Sequence, residues 1–281
     1  MKPLVSKIIK IAIVAAVIAG LILPFINLQA AETNPAAKPE TIKEVSQLVD
    51  DLTALKSNGD LSDLEKERQE IAIRTEALAK ILYLSKLEVR DLQVKLEGLN
   101  LDKIREQEIK KQFMELLKTY EEYYQVLENK LKEGLALWEI KELTKNLQEW
   151  RRGNYGQKVS LIANFIMVFK EKDALETADA RLEKIMSDLK KLESAKLIQR
   201  ETLQSYLNAS IQQLSRAKLL NKKASDLLFS AASATFSTAP AEIGKKTEDA
   251  KQLIKESFYE IKSAYQSFLE ISKKVKQQLS L

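Results

Sequence analysis

The chain has 281 residues, 45% of them hydrophobic and 30% charged, enough for one elongated domain or two small ones with a real core. Histidine and cysteine are both absent, which excludes Cys or His nucleophiles, His acid–base pairs, thiolate zinc sites, haem ligation, disulfides and a lipoprotein thioether. Only 7 Gly and 5 Pro supply turns, too few for a strand-rich fold or a glycine-lined phosphate cradle, and the net charge of +5 is carried largely by the first residues.

Lys2, Lys7 and Lys10 precede an uncharged run over 11–25, which Pro24 interrupts near its end, and Asn27, Leu28, Gln29, Ala30 and Ala31 follow. Positive, apolar and small-residue segments in that order predict that 1–31 is a bacterial export signal peptide or an uncleaved membrane anchor. The run is shorter than the roughly 20 residues of a comfortable span. Leu28, three positions before a cut after Ala30, is larger than a cleavage site prefers, so both forms stay open. In either form the lysines hold the N-terminus in the cytoplasm and place everything after Ala31 outside, in the periplasm, on the cell surface or in the medium. Without those three lysines 42 basic residues face 40 acidic ones, a charge of +2. Interspersed, nearly balanced charge gives no electrostatic reason to expect nucleic acid.

Residues 32–40 (ETNPAAKPE) read as a flexible Pro/Ala tether. From there to Ala239 no proline occurs, and the Leu, Lys, Glu, Ala and Gln content is helical, so the expected fold is all-α: an elongated antiparallel bundle with coiled-coil segments. Gly59, Gly98, Gly134, Gly153, Gly156 and Gly244 are read as punctuation between helices. A first helix over 41–56 carries Ile42, Val45, Leu48, Val49, Leu52 and Leu55 on one stripe. The second starts at Ser62-Asp63-Leu64-Glu65, a capping box, and runs to Glu97, about 54 Å at 1.5 Å per residue. Its residues Leu64, Ile71, Leu78, Leu82, Val89, Leu92 and Leu96 follow a seven-residue repeat, and Ile73, Ala77, Leu84 and Leu87 form a second stripe. Two stripes require at least two helical neighbours.

A third helix over 101–132 should fold back on the second, and 135–151 forms a fourth with Ile140, Leu143, Leu147 and Trp150 on one face. Asp173-Ala174-Leu175-Glu176 reads as a fresh helix start, and 194–200 as a turn. The last three helices are then expected at 173–193, 201–230 and 245–278, with 230–244 as a connection. These boundaries divide the mature chain into an N-terminal helical and coiled-coil region, 41–171, and a C-terminal three-helix region, 172–281.

Acidic pairs at Asp50-Asp51, Glu65/Glu67, Glu106/Glu108 and Glu121-Glu122 sit among lysines and read as solvated helix faces rather than catalytic or metal-binding carboxylates. No catalytic serine motif, Walker sequence, dinucleotide fingerprint or EF-hand loop occurs, so no catalytic residue, cofactor or metal is expected. Asn208-Ala209-Ser210 is a formal glycosylation sequon, read as chance.

The candidate interaction surface is aromatic and basic. Tyr120, Tyr123 and Tyr124 stand at i, i+3 and i+4, while Trp138 and Trp150 bracket the fourth helix and Arg151-Arg152 follow. A patch at the core edge is the plain reading of these residues; a platform for a sugar or peptide, or a Trp/Arg end resting on lipid headgroups, is the functional one. Two uncharged runs, 159–169 (VSLIANFIMVF) and 227–241 (LLFSAASATFSTAPA), are short for membrane spans and read as buried core and as a connection at the bundle tip. The expected function is an exported or membrane-tethered scaffold of the cell envelope, without catalytic activity, that meets a protein partner or a second copy through helix faces. The competing expectation is a membrane-active protein, because the architecture is similar to that of exported α-helical pore-forming toxins, which hide apolar segments of this kind.

Overall fold

The computed structural model describes residues 37–234 and 240–279, and among them every regular element is helical. The signal-peptide or anchor segment 1–31 and residues 32–36 of the tether lie outside the described residues. In chain order the elements are α1 (Ala37–Ser57), α2 (Asp63–Glu97), α3 (Ile104–Lys132), α4 (Leu137–Trp150), a five-residue π-turn (Arg151–Tyr155), α5 (Gly156–Ser194), a 3₁₀ turn (Arg200–Leu203), α6 (Gln204–Ala234) and α7 (Pro240–Gln278). Among the described residues no helix is long and apolar enough to cross a membrane. The chain divides into two compact units, Met1–Gly156 and Gln157–Leu281, and each is described by itself.

In the N-terminal unit α2 is the central rod. Ser62 caps it as the sequence predicts, with its hydroxyl accepting from the Glu65 amide and the Glu65 carboxylate accepting from the Ser62 amide. Cross-helix ion pairs give the directions of its neighbours. Lys80 meets Glu44 of α1 at 2.9 Å while Lys56, at the far end of α1, lies near Glu70 and Arg74, and Lys86 and Arg90 meet Glu128 and Glu121 of α3 at 2.8 Å each, so both neighbours run antiparallel. Lys141 of α4 meets Glu70 at 3.2 Å, and Arg151, just beyond α4, meets Glu88, so α4 runs parallel to α2. Three neighbours account for the two apolar stripes. Leu78, Leu82, Val89, Leu92 and Leu96 of α2 are buried, as are Phe113 and Leu117 of α3 and Ile140 and Leu147 of α4, each Leu-sized side chain contributing roughly 1.5–3 kcal/mol. The repeat frays at the start of α2, where Leu64 is 61% exposed.

The C-terminal unit is more regular. In α5 the inward positions Val168, Glu171, Leu175, Ala178, Leu182 and Leu189 follow a three–four spacing. Two helices complete the core with the same spacing, α6 with Leu207, Ser210, Leu214, Ala217, Ala224, Leu228 and Ala231, preceded by Leu203 of the 3₁₀ turn, and α7 with Ile243, Ala250, Ile254, Ser257, Ile261, Ala264, Phe268 and Ile271. Lys218–Asp179 at 2.6 Å with Asn221–Glu171 at 2.8 Å sets α6 antiparallel to α5, and Lys246–Ser230 at 3.0 Å with Ser267–Gln213 at 3.3 Å sets α7 antiparallel to α6. Inward residues seven positions apart along the α6–α7 seam are small (Ser210, Ala217, Ala224 and Ala231 facing Ala250, Ser257 and Ala264), which lets the backbones approach. The approach is close enough for the Ser257 hydroxyl to donate to the Ala217 carbonyl across the seam at 2.9 Å.

Several boundaries depart from the sequence reading, each for a physical reason. Residues 37–40 of the expected tether are helical, because Pro39 falls in the first turn of α1, where its missing N–H costs nothing. Gly59, Gly98 and Gly134 do end or separate helices, Gly134 in the left-handed region at φ 80°. Gly153 and Gly156 do not, since the chain passes through the π-turn and the Gly156 N–H bonds the Arg151 carbonyl. Gly244 lies inside α7. The Asp173 start signal lies within α5, whose inward stripe runs from Val168 through Leu175 to Leu182 without a change of register. The boundary drawn at 171/172 therefore falls inside one helix, and the division lies at Gly156.

The turn near 194–200 is present. It closes with the Lys196 N–H on the Glu193 carbonyl and the Leu197 N–H on the Leu192 carbonyl, a Schellman end with Lys196 at φ 56° in the place usually held by glycine. Helix α6 persists through Ala234 into the expected connection, because Leu228, Ala231 and Ala232 are buried; residues 235–239 lie outside the described residues. The apolar run 159–169 is core, and Asn164 at its centre donates to the Thr247 carbonyl at 3.4 Å.

Candidate functional site

The densest cluster of aromatic and charged side chains forms where α2, α3 and the end of α4 meet. Ile140, Thr144, Leu147 and Arg151 follow the three–four spacing of an inward stripe, and an unbroken α-helix would next turn Asn154 inward. The π-turn takes up one extra residue, so Tyr155 is buried and Asn154 exposed. Gly156 suits the position that follows, since a Cβ there would lie 3.3 Å from the Arg151 carbonyl oxygen. The Tyr120 hydroxyl donates to the Asn154 carbonyl at 3.1 Å, tying α3 to the turn.

Arg151 is turned into the unit. Its Nη1 donates to Ser85 Oγ at 2.8 Å and to the Tyr124 hydroxyl at 2.9 Å, and its Nη2 meets Glu88 Oε2 at 3.3 Å. Tyr155 donates its hydroxyl to the same Glu88 oxygen at 2.7 Å, and the guanidinium carbon stands 4.6 Å from the Tyr155 ring centroid, within cation–π range. The Ser85 hydroxyl donates to the Ile81 carbonyl, leaving its lone pairs for the arginine. Around this core Trp150 stacks on Tyr123 with centroids 4.2 Å apart and meets Tyr120 and Tyr124 edge-on at 5.2 and 5.6 Å.

Burial sets the protonation of the cluster. It raises the hydroxyls of Tyr120 and Tyr124 above the usual tyrosine value, and that of Tyr155 well above it, with Glu88 and Tyr124 adding to the effect at Tyr155. Burial alone raises Tyr123. At Arg151 burial opposes the charge, but Tyr124, Glu88 and Tyr155 outweigh it and hold the guanidinium more firmly protonated than usual. The arrangement is therefore neutral tyrosines around one charged guanidinium and its carboxylate partner, chemically a clasp between helices.

Of the seven residues read from the sequence as an interaction surface, the structure brings together five: Tyr120, Tyr123, Tyr124, Trp150 and Arg151. Tyr120, Tyr124 and Arg151 are buried rather than on the surface, because the guanidinium needs Glu88 and the ring faces pack on one another. Tyr123 and Trp150 are half-buried at the edge, Arg152 is exposed, and Trp138 is 65% exposed on α4, about 18 Å along the helix from Trp150. Sequence reasoning missed Ser85, Glu88 and Tyr155. Glu88 carried a usable signal: it stands four residues from both Leu84 of the second stripe and Leu92 of the first, a charge between apolar positions. One acidic residue read as solvated, Glu106, is also buried, with Lys103 at 3.4 Å. Among the described residues no group of acidic side chains is placed to hold a metal ion.

Fold and cluster together define an all-α protein with a charged, aromatic clasp in one unit and a regular three-helix core in the other. Compared with protein-family models, curated proteins and solved structures, the chain matches none.

Proposed function

We propose that the protein is an extracytoplasmic helical scaffold, exported or tethered by its first 31 residues, that acts through its helix faces and carries out no reaction. The observation behind this reading is where the polar groups of the clasp point. Arg151, Tyr124, Tyr155, Ser85 and Glu88 are bonded to one another inside the unit, an arrangement that fixes helices rather than presenting reactive atoms to a substrate. The heptad-spaced cores support the finer picture of an antiparallel bundle with coiled-coil character. On this reading the outer rim of the clasp, Tyr123 and Trp150 with exposed Arg152, and Trp138 further along α4, contact a protein partner or a second copy.

Two measurements in the native host test the proposal. N-terminal sequencing and fractionation are expected to find the chain outside the cytoplasm, either cut near Ala31 or full-length in membranes. A photo-crosslinker replacing Trp138 is expected to trap one discrete partner or the chain itself, while one replacing Glu67 traps none. A cytoplasmic full-length chain overturns the first half, and identical crosslinking from both positions the second. Dye-loaded liposomes are expected to stay sealed. Leakage that disappears in a folded Ile162→Asp/Ile166→Asp variant would transfer the reading to a membrane-active protein.

A further inference from the structure

Near the middle of α5 the side chain of Glu171 is fully buried at an inward heptad position. Asn221 of α6 donates through Nδ2 to Glu171 Oε2 at 2.8 Å and to the Val168 carbonyl at 2.9 Å. Ser257 of α7 adjoins the same carboxyl, so all three helices supply one member of a polar layer. The Ser257 hydroxyl spends its single proton on the Ala217 carbonyl. Turned that way it offers Glu171 lone pairs but no hydrogen; turned to the carboxylate, it gives up the Ala217 bond.

This asymmetry bears on the carboxyl. Glu171 Oε1 is buried and has no hydrogen-bond partner. An ionised carboxylate only accepts, so it would either leave this oxygen unpaired or draw the Ser257 hydroxyl away from the Ala217 carbonyl; a neutral acid carries an O–H that Ser257 Oγ can accept while keeping that bond. Nor do charges compensate. The groups facing Glu171 from α6 and α7, Asn221 and Ser257, do not titrate. Lys170, Lys222 and Glu256, which lie next to these positions, are exposed; Lys172 is half-buried with Glu176 at 3.9 Å, and Lys218 is held by Asp179. Among the described residues no ion pair includes Glu171.

We infer that Glu171 is carried as the neutral acid in the folded C-terminal unit and serves as a proton-dependent latch, so that losing its proton loosens the three helices around the Glu171–Asn221–Ser257 layer. Burial, only partly opposed by Ser257 and Asn221, shifts the carboxyl toward the protonated form. The sign follows from linkage. A carboxyl that holds its proton more tightly when folded contributes its full stability below the titration of an unfolded glutamate, about 4.3, and loses it as pH rises through the folded titration.

Infrared difference spectra of the full chain, with Glu171→Gln as reference, read the proton directly. The expected result is a carboxylic-acid carbonyl band that is missing from E171Q and titrates above the exposed carboxylates. Hydrogen exchange at the α5 amides of 168–175, corrected for intrinsic rates, should lose protection over the same interval, about tenfold for each pH unit separating the unfolded and folded titrations. E171Q should show no such loss. A Glu171 band titrating together with the exposed carboxylates overturns the inference, as does an equal loss of protection in E171Q. Should E171Q fail to fold, the carboxyl carbon resonance of Glu171 in the unsubstituted chain decides the matter by the same criterion.

Discussion

The two units fix the register of their helices by opposite means. In the N-terminal unit a full ion pair is buried, Arg151 with Glu88, wrapped by tyrosines and positioned by a helix that takes up one extra residue. In the C-terminal unit the spacing never slips, and register rests on a thin layer of one carboxyl, one amide and one hydroxyl among alanines and leucines. A buried charge specifies one arrangement sharply but punishes the loss of either partner. A weakly polar layer specifies less and tolerates more. Both tryptophans, Trp138 and Trp150, belong to the N-terminal unit, so their emission reports on that unit.

The largest expected difference appears at alkaline pH. Tyr120, Tyr124 and Tyr155 are held neutral by burial, so the folded N-terminal unit keeps protons that an unfolded tyrosine releases near about pH 10. Its stability should fall as pH rises from there, with tyrosinate absorbance and tryptophan emission changing together. Ionisation of these tyrosines near pH 10 with unchanged emission would show that the cluster is wetter than its burial implies.

Next in size, Arg151→Met should cost the N-terminal unit about 3–5 kcal/mol in denaturant titrations followed by tryptophan emission, because Glu88 is left buried without its cation. Adding Glu88→Gln should return a large part of that loss. If the double variant is no better than the single one, shape at the π-turn matters more than charge.

Asn221→Ala should cost the C-terminal unit about 1–3 kcal/mol through the lost bonds to Glu171 and Val168, read by exchange of α5 and α6 amides. The tryptophan-detected midpoint should stay in place. A shift of equal size in both readouts would erase the distinction between the units. The smallest effect is a gain: Lys196→Gly removes the strain of a side chain at φ 56° and should stabilise the C-terminal unit by about 1 kcal/mol or less, seen as a small rise in its thermal midpoint.

How much of this could be read from the sequence depended on the distance over which the cause acts. Local causes were legible: the Ser62–Glu65 box, the Gly98 and Gly134 ends and the turn after Ser194 depend on residues a few positions apart. The face shared by Tyr120, Tyr123 and Tyr124 was equally plain, being a matter of helical spacing. What lay hidden was closure between distant segments. Glu88 and Tyr155 are 67 residues apart, and only the fold makes them partners. Glycine misled at 153 and 156 because its usual meaning, a helix end, gives way when the apolar stripe resumes one residue later. The Ala- and Ser-rich stretch after 227 looked like a connection because small side chains give little apolar signal, although they are what a close helix pair requires.

That close pair has a consequence for which changes the chain can absorb. Along the α6–α7 seam the useful property of Ala217, Ala224, Ala231, Ala250 and Ala264 is what they lack, and size there is a ceiling rather than a target. Exchanges among alanine, serine and glycine leave the spacing intact, whereas a single valine or leucine must wedge the helices apart and strain the neighbours that depend on their nearness. Tolerance at these sites is one-sided. Drift can hollow the seam by degrees, but it cannot fill it without separating the two helices.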